Sequence, residues 1–506
     1  MAITTFAAID VGSYELQMKI YEISQKNKIV MIDHLRHVIE LGKDTYKDGK
    51  VSFENIDELC GVLKKFTCTM EEYKVKSYVA YATSAIREAE NADIILDRIR
   101  VSTGLEVKIL SNSEQRFLCY KALAAQEDEF DEYIKDSTAI VDVGAGSIQI
   151  SLFDKGALVT TQNIKLGSLR IRELLYNISN SRQHFDRLIE ELVNNDIQTF
   201  KRMFLKDKTI KNIIAIGEYV VYFARKGVDN HLKTFMDRKQ FMERFDSLNS
   251  KSPEQISDKL GITGEQASLL IPCAFVYKRF IQETDTQNIW IPGVDLCDGI
   301  VAEYAMMTKK LAFRHDFQED IVGTARIIAK RYKANLEHTA ILENNVINIF
   351  DAMKKYHGLG KRERLLLQIS AILHDCGKYI SMSSPAECSY NIIMSTEIIG
   401  LSHKEREMVA NIVKYNTMDL PENRDDGMYL TVVKLVAMLR VANAMDRSHR
   451  QKFKDFKTKF SDGKLILTTT TSEDITLEKG LFEAKTELFE EIYGIKPVLR
   501  QARMLK

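Results

Sequence analysis

A single tryptophan and six prolines occur in 506 residues, and no stretch is low in complexity or rich in Gly and Ser. Flexible linkers are therefore excluded, and the domains are expected to pack closely. The seven cysteines are scattered, with no CxxC pair or disulfide-like spacing, which fits a reducing cytoplasm. Charge of one sign is also missing: 71 basic residues balance 71 acidic ones, so any polyanion site must be a local patch. No uninterrupted apolar run of membrane-spanning length appears. The start, MAITTFAAIDVGS, has no basic leader and is expected to enter a strand at once. Neither a membrane nor nucleic acid is an expected partner.

What is present is an ordinary folded composition, 45% hydrophobic and 28% charged, in a chain too long for one core. Two segments share one design. In TTFAAIDVGSYELQMKIYEI an apolar strand ends in Asp10, turns at Gly12 and Ser13, and resumes with Leu16, Met18 and Ile20 alternating. TAIVDVGAGSIQISLF repeats this with Asp142, the Gly144–Ser147 turn, and Ile148, Ile150 and Leu152. Strands and helices alternate around both, which predicts α/β layers. From 312 to 450 the apolar residues recur at helical spacing. After 455, FKTKFSDGKLILTTTT predicts a hairpin with a D-G turn.

One D-x-G turn is an ordinary hairpin connection. Two copies, each flanked by strands, favour paired phosphate turns, because glycine lets backbone N–H groups approach phosphate oxygens. A strand-end Asp can hold a Mg²⁺-bound water. Arg87 in TSAIR opens a helix after a strand, where an anion is favoured, although a solvated surface arginine fits equally. Glu114 in SNSEQRF fits a capping box with Ser111, and a catalytic role depends on what faces the hairpins. His374-Asp375, with His338 on an earlier helix, can reach one metal ion; a structural pair fits as well. The run RSHRQKFKDFKTK, with Lys452, Lys454 and Lys457, is either a solvated face or a polyanion track.

Taken in order, AIDVGS, YATSAIREAEN, LSNSEQ, IVDVGAGS, IKLGSLRIREL, VDLCDGIVAEYA, HGLGKRERLLLQISAILHDCGKYIS, GLSHKEREMVANIVKY and LRVANAMDRSHRQ resemble the exopolyphosphatase/pppGpp phosphohydrolase (Ppx/GppA) family over nearly the whole chain. The resemblance implies a two-lobed actin/Hsp70/sugar-kinase-like (ribonuclease H-like) α/β part with its site in the cleft. An all-α HD-type domain and a small α+β C-terminal segment would follow. The expected boundaries are 1–130 for lobe I, 131–308 for lobe II, 309–450 for the helical domain and 451–506 for the tail. It implies release of terminal phosphate from inorganic polyphosphate or a guanosine polyphosphate, assisted by Mg²⁺, with a glutamate activating water. A homodimer is expected.

On that pattern Asp10, Gly12, Ser13, Arg87, Gly144, Gly146 and Ser147 would hold phosphate. Asp10 and Asp142 would hold the metal. Glu114, Gln115, Asp142 and Gln149 would occupy the catalytic positions. The sequence departs where the family carries acids. Gln149 stands at the last Glu of D-x-G-G-G-S-x-E, and Gln115 at the second Glu of S-G-x-E-E-A. Tyr14 and Glu15 replace the end of D-x-G-S-N-S, and Glu15 would repel phosphate unless a cation sits between. Gly217-Glu218-Tyr219 replaces a G-x-S-G-T-like turn. An amide accepts no proton at neutral pH, so reduced hydrolysis is expected, and a polyphosphate- or (p)ppGpp-binding regulatory protein is the alternative. His338, His374 and Asp375 match HD positions. Cys388, Asn416 and Asn443 replace others, so weak metal binding is expected there.

Overall fold

A computed structural model describes residues 4–24, 28–125, 127–176, 182–205, 209–225, 234–421 and 427–502. The chain divides into two compact units, Met1–Phe317 and Gln318–Lys506. The expected tail lies in the second, with all of the expected helical domain except residues 309–317, which belong to the first.

The first unit holds two sheets built to one plan. Its strands are β1 (Thr4–Val11), β2 (Glu15–Ile23), β3 (Ile29–Val38), β4 (Ser77–Ala82) and β5 (Val107–Ile109), then β6 (Thr138–Val143), β7 (Ile148–Asp154), β8 (Ala157–Ile164), β9 (Asn212–Ile216), β10 (Thr234–Asp237) and β11 (Asn288–Ile291). The sheet orders are β3-β2-β1-β4-β5 and β10-β11-β9-β6-β7-β8. In each, an antiparallel meander lies beside parallel strands that enter after helical crossovers: β4 along β1, and β9 along β6. The repeated hairpin of the sequence is thus the first element of two repeated lobes. The register also repeats. Asp10 faces Gln17 across β1 and β2, and Asp142 faces Gln149 across β6 and β7.

The sheets are covered by helices whose apolar stripes face them. Phe53–Glu72 is capped by Ser52, which accepts the Asn55 N–H, and it buries Ile56, Leu59, Leu63, Phe66 and Met70 at helical spacing. Burial of each such side chain contributes roughly 1.5–3 kcal/mol. Gly264–Thr284 is buried on most of its circumference, as a helix enclosed by other elements must be.

In the second unit, helices Leu336–Ala352, Lys361–Leu373, His403–Tyr415 and Tyr429–Met445 form an all-α layer. A three-stranded sheet follows: β12 (Phe456–Ser461), β13 (Lys464–Thr469) and β14 (Lys496–Gln501). The hairpin β12–β13 turns at Asp462 and Gly463, both at positive φ (54° and 70°), as its D-G pair predicts. Helix Thr476–Tyr493 joins the sheet to Tyr429–Met445. Among the described residues, no helix is long and apolar enough to cross a membrane.

Candidate active site

The two hairpin turns meet at one cavity of about 700 Å³ in the first unit. Asp10, Gly12 and Ser13 reach it from one lobe, and Asp142, Gly144, Gly146, Ser147 and Gln149 from the other. The turns are tight for physical reasons. The Gly12 N–H donates to the Glu15 carbonyl at 3.0 Å, and a Cβ on Gly12 would lie 2.5 Å from that oxygen. At Gly146 a Cβ would meet Tyr46 Oη at 2.1 Å, so the side chain of lobe I occupies the space that glycine leaves in lobe II.

Both aspartates are half-buried in the cavity wall. Burial pushes Asp10 up to about 7, against a hydrogen bond from Gln17; the charges of Asp295, Glu15 and Asp142 push it the same way as burial. Burial also raises Asp142, to about 6, and the Arg116 guanidinium opposes it. Gln17 Nε2 donates to Asp10 Oδ2 at 3.2 Å, while Asp10 Oδ1 is buried with no protein hydrogen bond. A hard oxygen donor left unsatisfied is what a small divalent cation takes up.

The other residues named from sequence fall in different places. Ser13 is buried, with Ala85 N–H donating to its Oγ at 3.0 Å and Tyr46 Oη at 2.9 Å. Gln115 lines the cavity, and its Oε1 is buried with no hydrogen-bond partner. Glu114 closes the capping box, its carboxylate accepting the Ser111 N–H at 2.9 Å, and it does not line the cavity. Arg87 donates to the Leu110 carbonyl and to Asn112 Oδ1, both at 2.6 Å. It fastens the end of β5 to the helix Asn112–Ala124, outside the cavity lining.

Several charged or amide residues at the site were not singled out from sequence, Arg116, Arg36, Gln17 and Lys19 among them. Arg116 is buried and donates Nε–H to Gln149 Oε1 at 3.3 Å. Arg36, on β3, supplies the cation that Glu15 requires. It bonds both Glu15 oxygens, donates to Tyr222 Oη at 2.7 Å and pairs with Glu218. This network joins the edge of lobe I to helix Glu218–Ala224 of lobe II, at the turn where the family pattern is replaced. Lys19 lies between Asp295 and Asp298 at 2.7 and 2.9 Å. Gln17 and Lys19 were legible in principle. The alternation that buries Leu16, Met18 and Ile20 turns them to the other face, with Asp10.

In the second unit, His338 and His374 come together with ring centroids 5.0 Å apart, and His374 Nε2 lies 3.4 Å from Asp375 Oδ1. Lys452, in the basic run, is buried and paired with Glu478 at 2.9 Å, whereas Lys454 and Lys457 are exposed.

Two lobes of one topology, with glycine turns and paired aspartates facing a shared cavity, define an actin-like fold. The sequence model of the Ppx/GppA phosphatase family matches residues 20–308, and that of its domain III matches residues 322–488. The chain belongs to the Ppx/GppA phosphatase family. It is 20% identical over 480 residues to a guanosine-5'-triphosphate,3'-diphosphate pyrophosphatase of Photobacterium profundum, covering 92% of this chain and 91% of that one. It is 22% identical over 270 residues to a bifunctional 3-dehydroquinate synthase/phosphatase of Fusobacterium nucleatum, covering 51% of this chain and spanning 38% of that protein. Among solved structures, the Ppx/GppA family member of Aquifex aeolicus superposes with a TM-score of 0.51 at 19% identity, over 61% of this chain and 99% of that one. An exopolyphosphatase of Cytophaga hutchinsonii gives 0.51 at 16% identity, over 60% and 98%. These likenesses establish the fold.

Proposed function

We propose that the cleft binds the terminal phosphates of inorganic polyphosphate or a guanosine polyphosphate and releases phosphate slowly, by Mg²⁺-assisted attack of water on the phosphoanhydride. The observation that carries this reading is the convergence of Asp10 and Asp142 with two glycine turns on one cavity. The donor set fits Mg²⁺: two carboxylates, one with an oxygen that no protein group satisfies. Asp10 and Asp142 would hold the ion, which supplies charge neutralisation at the phosphoryl oxygens and a more acidic water. The chain's own part is to bring the Gly12 and Gly144–Ser147 backbones to the phosphates and to cancel Glu15 with Arg36.

Slowness follows from the proton acceptor. Gln115 occupies the cavity position where the resemblance places a base, and an amide takes no proton there. Glu114 is committed to its cap, and Glu15 to Arg36. Loss of a general base costs roughly 10²–10⁴-fold. The second reading, a binding protein that senses the same polyanions, is favoured by the buried Arg116–Gln149 contact, which puts a fixed cation beside Asp142.

Phosphate release from polyphosphate and pppGpp at saturating Mg²⁺, alongside calorimetric binding of both, separates the readings. Release that needs Asp142 supports the enzyme. Binding without release supports the sensor. Absence of both overturns the assignment of the cleft.

A further inference from the structure

We propose that Arg170 is a positioning residue: it holds the second glycine turn, Gly144–Ser147, in the form that receives an anion, and it ties that turn to the first lobe. The inference rests on the cleft taking phosphate, as proposed above. Arg170 belongs to the stretch IKLGSLRIREL and sits in the first turn of helix Ser168–Tyr176. It does not line the cavity, so it acts through the residues that do.

Three successive carbonyls of the turn are taken from behind. The Gly144 carbonyl accepts the Ser168 N–H at 3.0 Å. The Ala145 carbonyl accepts the Leu169 and Arg170 N–H groups at 3.0 and 3.2 Å. A Cβ on Gly167 would lie 2.2 Å from that same oxygen, so glycine is what lets the helix begin so close. The Gly146 carbonyl accepts Arg170 Nε–H at 3.0 Å, and among the described residues Arg170 is its only donor. In a trans peptide N–H and C=O point in opposite directions. The N–H groups of Ala145, Gly146 and Ser147 therefore face away from the helix, and none has an acceptor among the described residues. All three residues line the cavity. Successive free N–H groups of this kind make an anion-binding concavity.

The remaining contacts of Arg170 lie in the first lobe. Its Nη2 donates to Glu88 Oε2 at 2.9 Å, and its guanidinium carbon lies 3.9 Å from the centre of the Tyr46 ring. Tyr46 Oη in turn donates to Ser13 Oγ at 2.9 Å, in the first glycine turn. One guanidinium thus sets the Gly146–Ser147 peptide directly and reaches Ser13 through a single ring. The first turn is backed by main chain alone: the Ser13 carbonyl accepts the Gly42 N–H at 2.7 Å, and the Tyr14 carbonyl the Ile39 N–H at 2.9 Å. Arg172, two residues on, also crosses to the first lobe. It donates to Glu40 at 2.6 Å and to Ser268 Oγ at 3.0 Å, and none of its bonds goes to either turn. The two arginines therefore separate holding the lobes from shaping the turn.

The test compares Arg170→Met with Arg172→Met in the full chain. Met keeps packing on Tyr46, and Lys165, 3.7 Å from Glu88, keeps that carboxylate paired. The probe is tripolyphosphate with Mg²⁺, followed by calorimetry and by amide hydrogen exchange of residues 144–148. In the wild type tripolyphosphate should slow exchange in this segment. Arg170→Met should bind at least about tenfold more weakly and leave the segment exchanging fast even at saturating tripolyphosphate. Arg172→Met should match the wild type in both. A merely structural role lowers stability without abolishing protection at saturation, so the exchange readout separates the two. If Arg170→Met does not fold, Arg170→Lys replaces it: it keeps the charge beside Glu88 with one nitrogen for two acceptors, and it should lose the same protection. Wild-type affinity and protection in the Arg170 variant, or equal losses in the Arg170 and Arg172 variants, overturn the proposal and leave the cleft assignment standing. Wild-type protein that binds no tripolyphosphate overturns both.

Discussion

Arg116 donates Nε–H to Gln149 Oε1 across 3.3 Å, and both side chains are buried. The two amides at the catalytic positions are therefore not equivalent. Gln149 is engaged by a fixed cation, while Gln115 presents an unsatisfied oxygen inside the cavity.

The first prediction follows from that difference. Gln115→Glu places a carboxylate in the cavity without changing volume, and phosphate release should rise by about 10²-fold if base loss limits the rate. Gln149→Glu alone should gain little, because Arg116 captures the new charge as a buried pair. Adding Arg116→Met to Gln149→Glu should free that carboxylate and raise the Mg²⁺ dependence of the rate. The check is the rate of Mg²⁺-dependent phosphate release across this set. Identical rates throughout would remove Gln115 and Gln149 from the catalytic account.

Arg36 gives the second. Its guanidinium answers Glu15 and Glu218 at the cavity edge. In Arg36→Met both carboxylates face incoming phosphate uncompensated, and tripolyphosphate affinity should fall about tenfold or more. Glu15→Gln in the same background should recover part of the loss. Calorimetric titration reads this directly. A double variant as weak as Arg36→Met would show that Arg36 binds phosphate itself rather than shielding Glu15.

Lys452 and its exposed neighbours separate structure from charge in the basic run. Lys452 pairs with Glu478, whose carboxylate is fully buried and also accepts from Ser448. Lys452→Met leaves that charge uncompensated and should destabilise the helical unit by about 3 kcal/mol, the low end for a broken buried pair. Lys454→Met, on an exposed side chain, should stay within about 0.5 kcal/mol. Denaturant melts monitored in the second unit compare the two. Equal midpoints would mean that the Glu478 charge finds another partner.

The legibility of this protein in its sequence was uneven for physical reasons. Strand alternation and the D-x-G pair located both hairpins, because period-two burial and tight turns are local properties. The D-G turn at Asp462-Gly463 was legible for the same reason. The partners that tune the site were not. Arg36 meets Glu15 across β2 and β3, and Glu218 from the other lobe, through contacts set only by tertiary packing. Arg116 follows Gln115 directly, yet its role depends on helix Asn112–Ala124 delivering it to β7.

The last prediction concerns the acid pair and pH. Burial raises Asp10 from the ordinary 3.8 to about 7 and Asp142 to about 6, so both bind protons more readily folded than unfolded. Between about pH 4 and pH 7 unfolding releases those protons, and stability of the metal-free first unit should fall as pH rises through that window. Below pH 4 the carboxyls are protonated in both states and their penalty vanishes. Asp10→Asn keeps the shape and removes the charge. It should therefore melt a few degrees above wild type at pH 8, in chelator, and level with it near pH 4. Mg²⁺ should reverse the order at pH 8, because only the wild type gains from an ion held by Asp10. Melting curves at pH 4, 6 and 8, with chelator and with Mg²⁺, contain the whole test. A variant less stable than wild type at pH 8 in chelator would show that Asp10 is ionised and satisfied without metal, and the cleft would then lack the unsatisfied carboxylate on which the metal assignment rests.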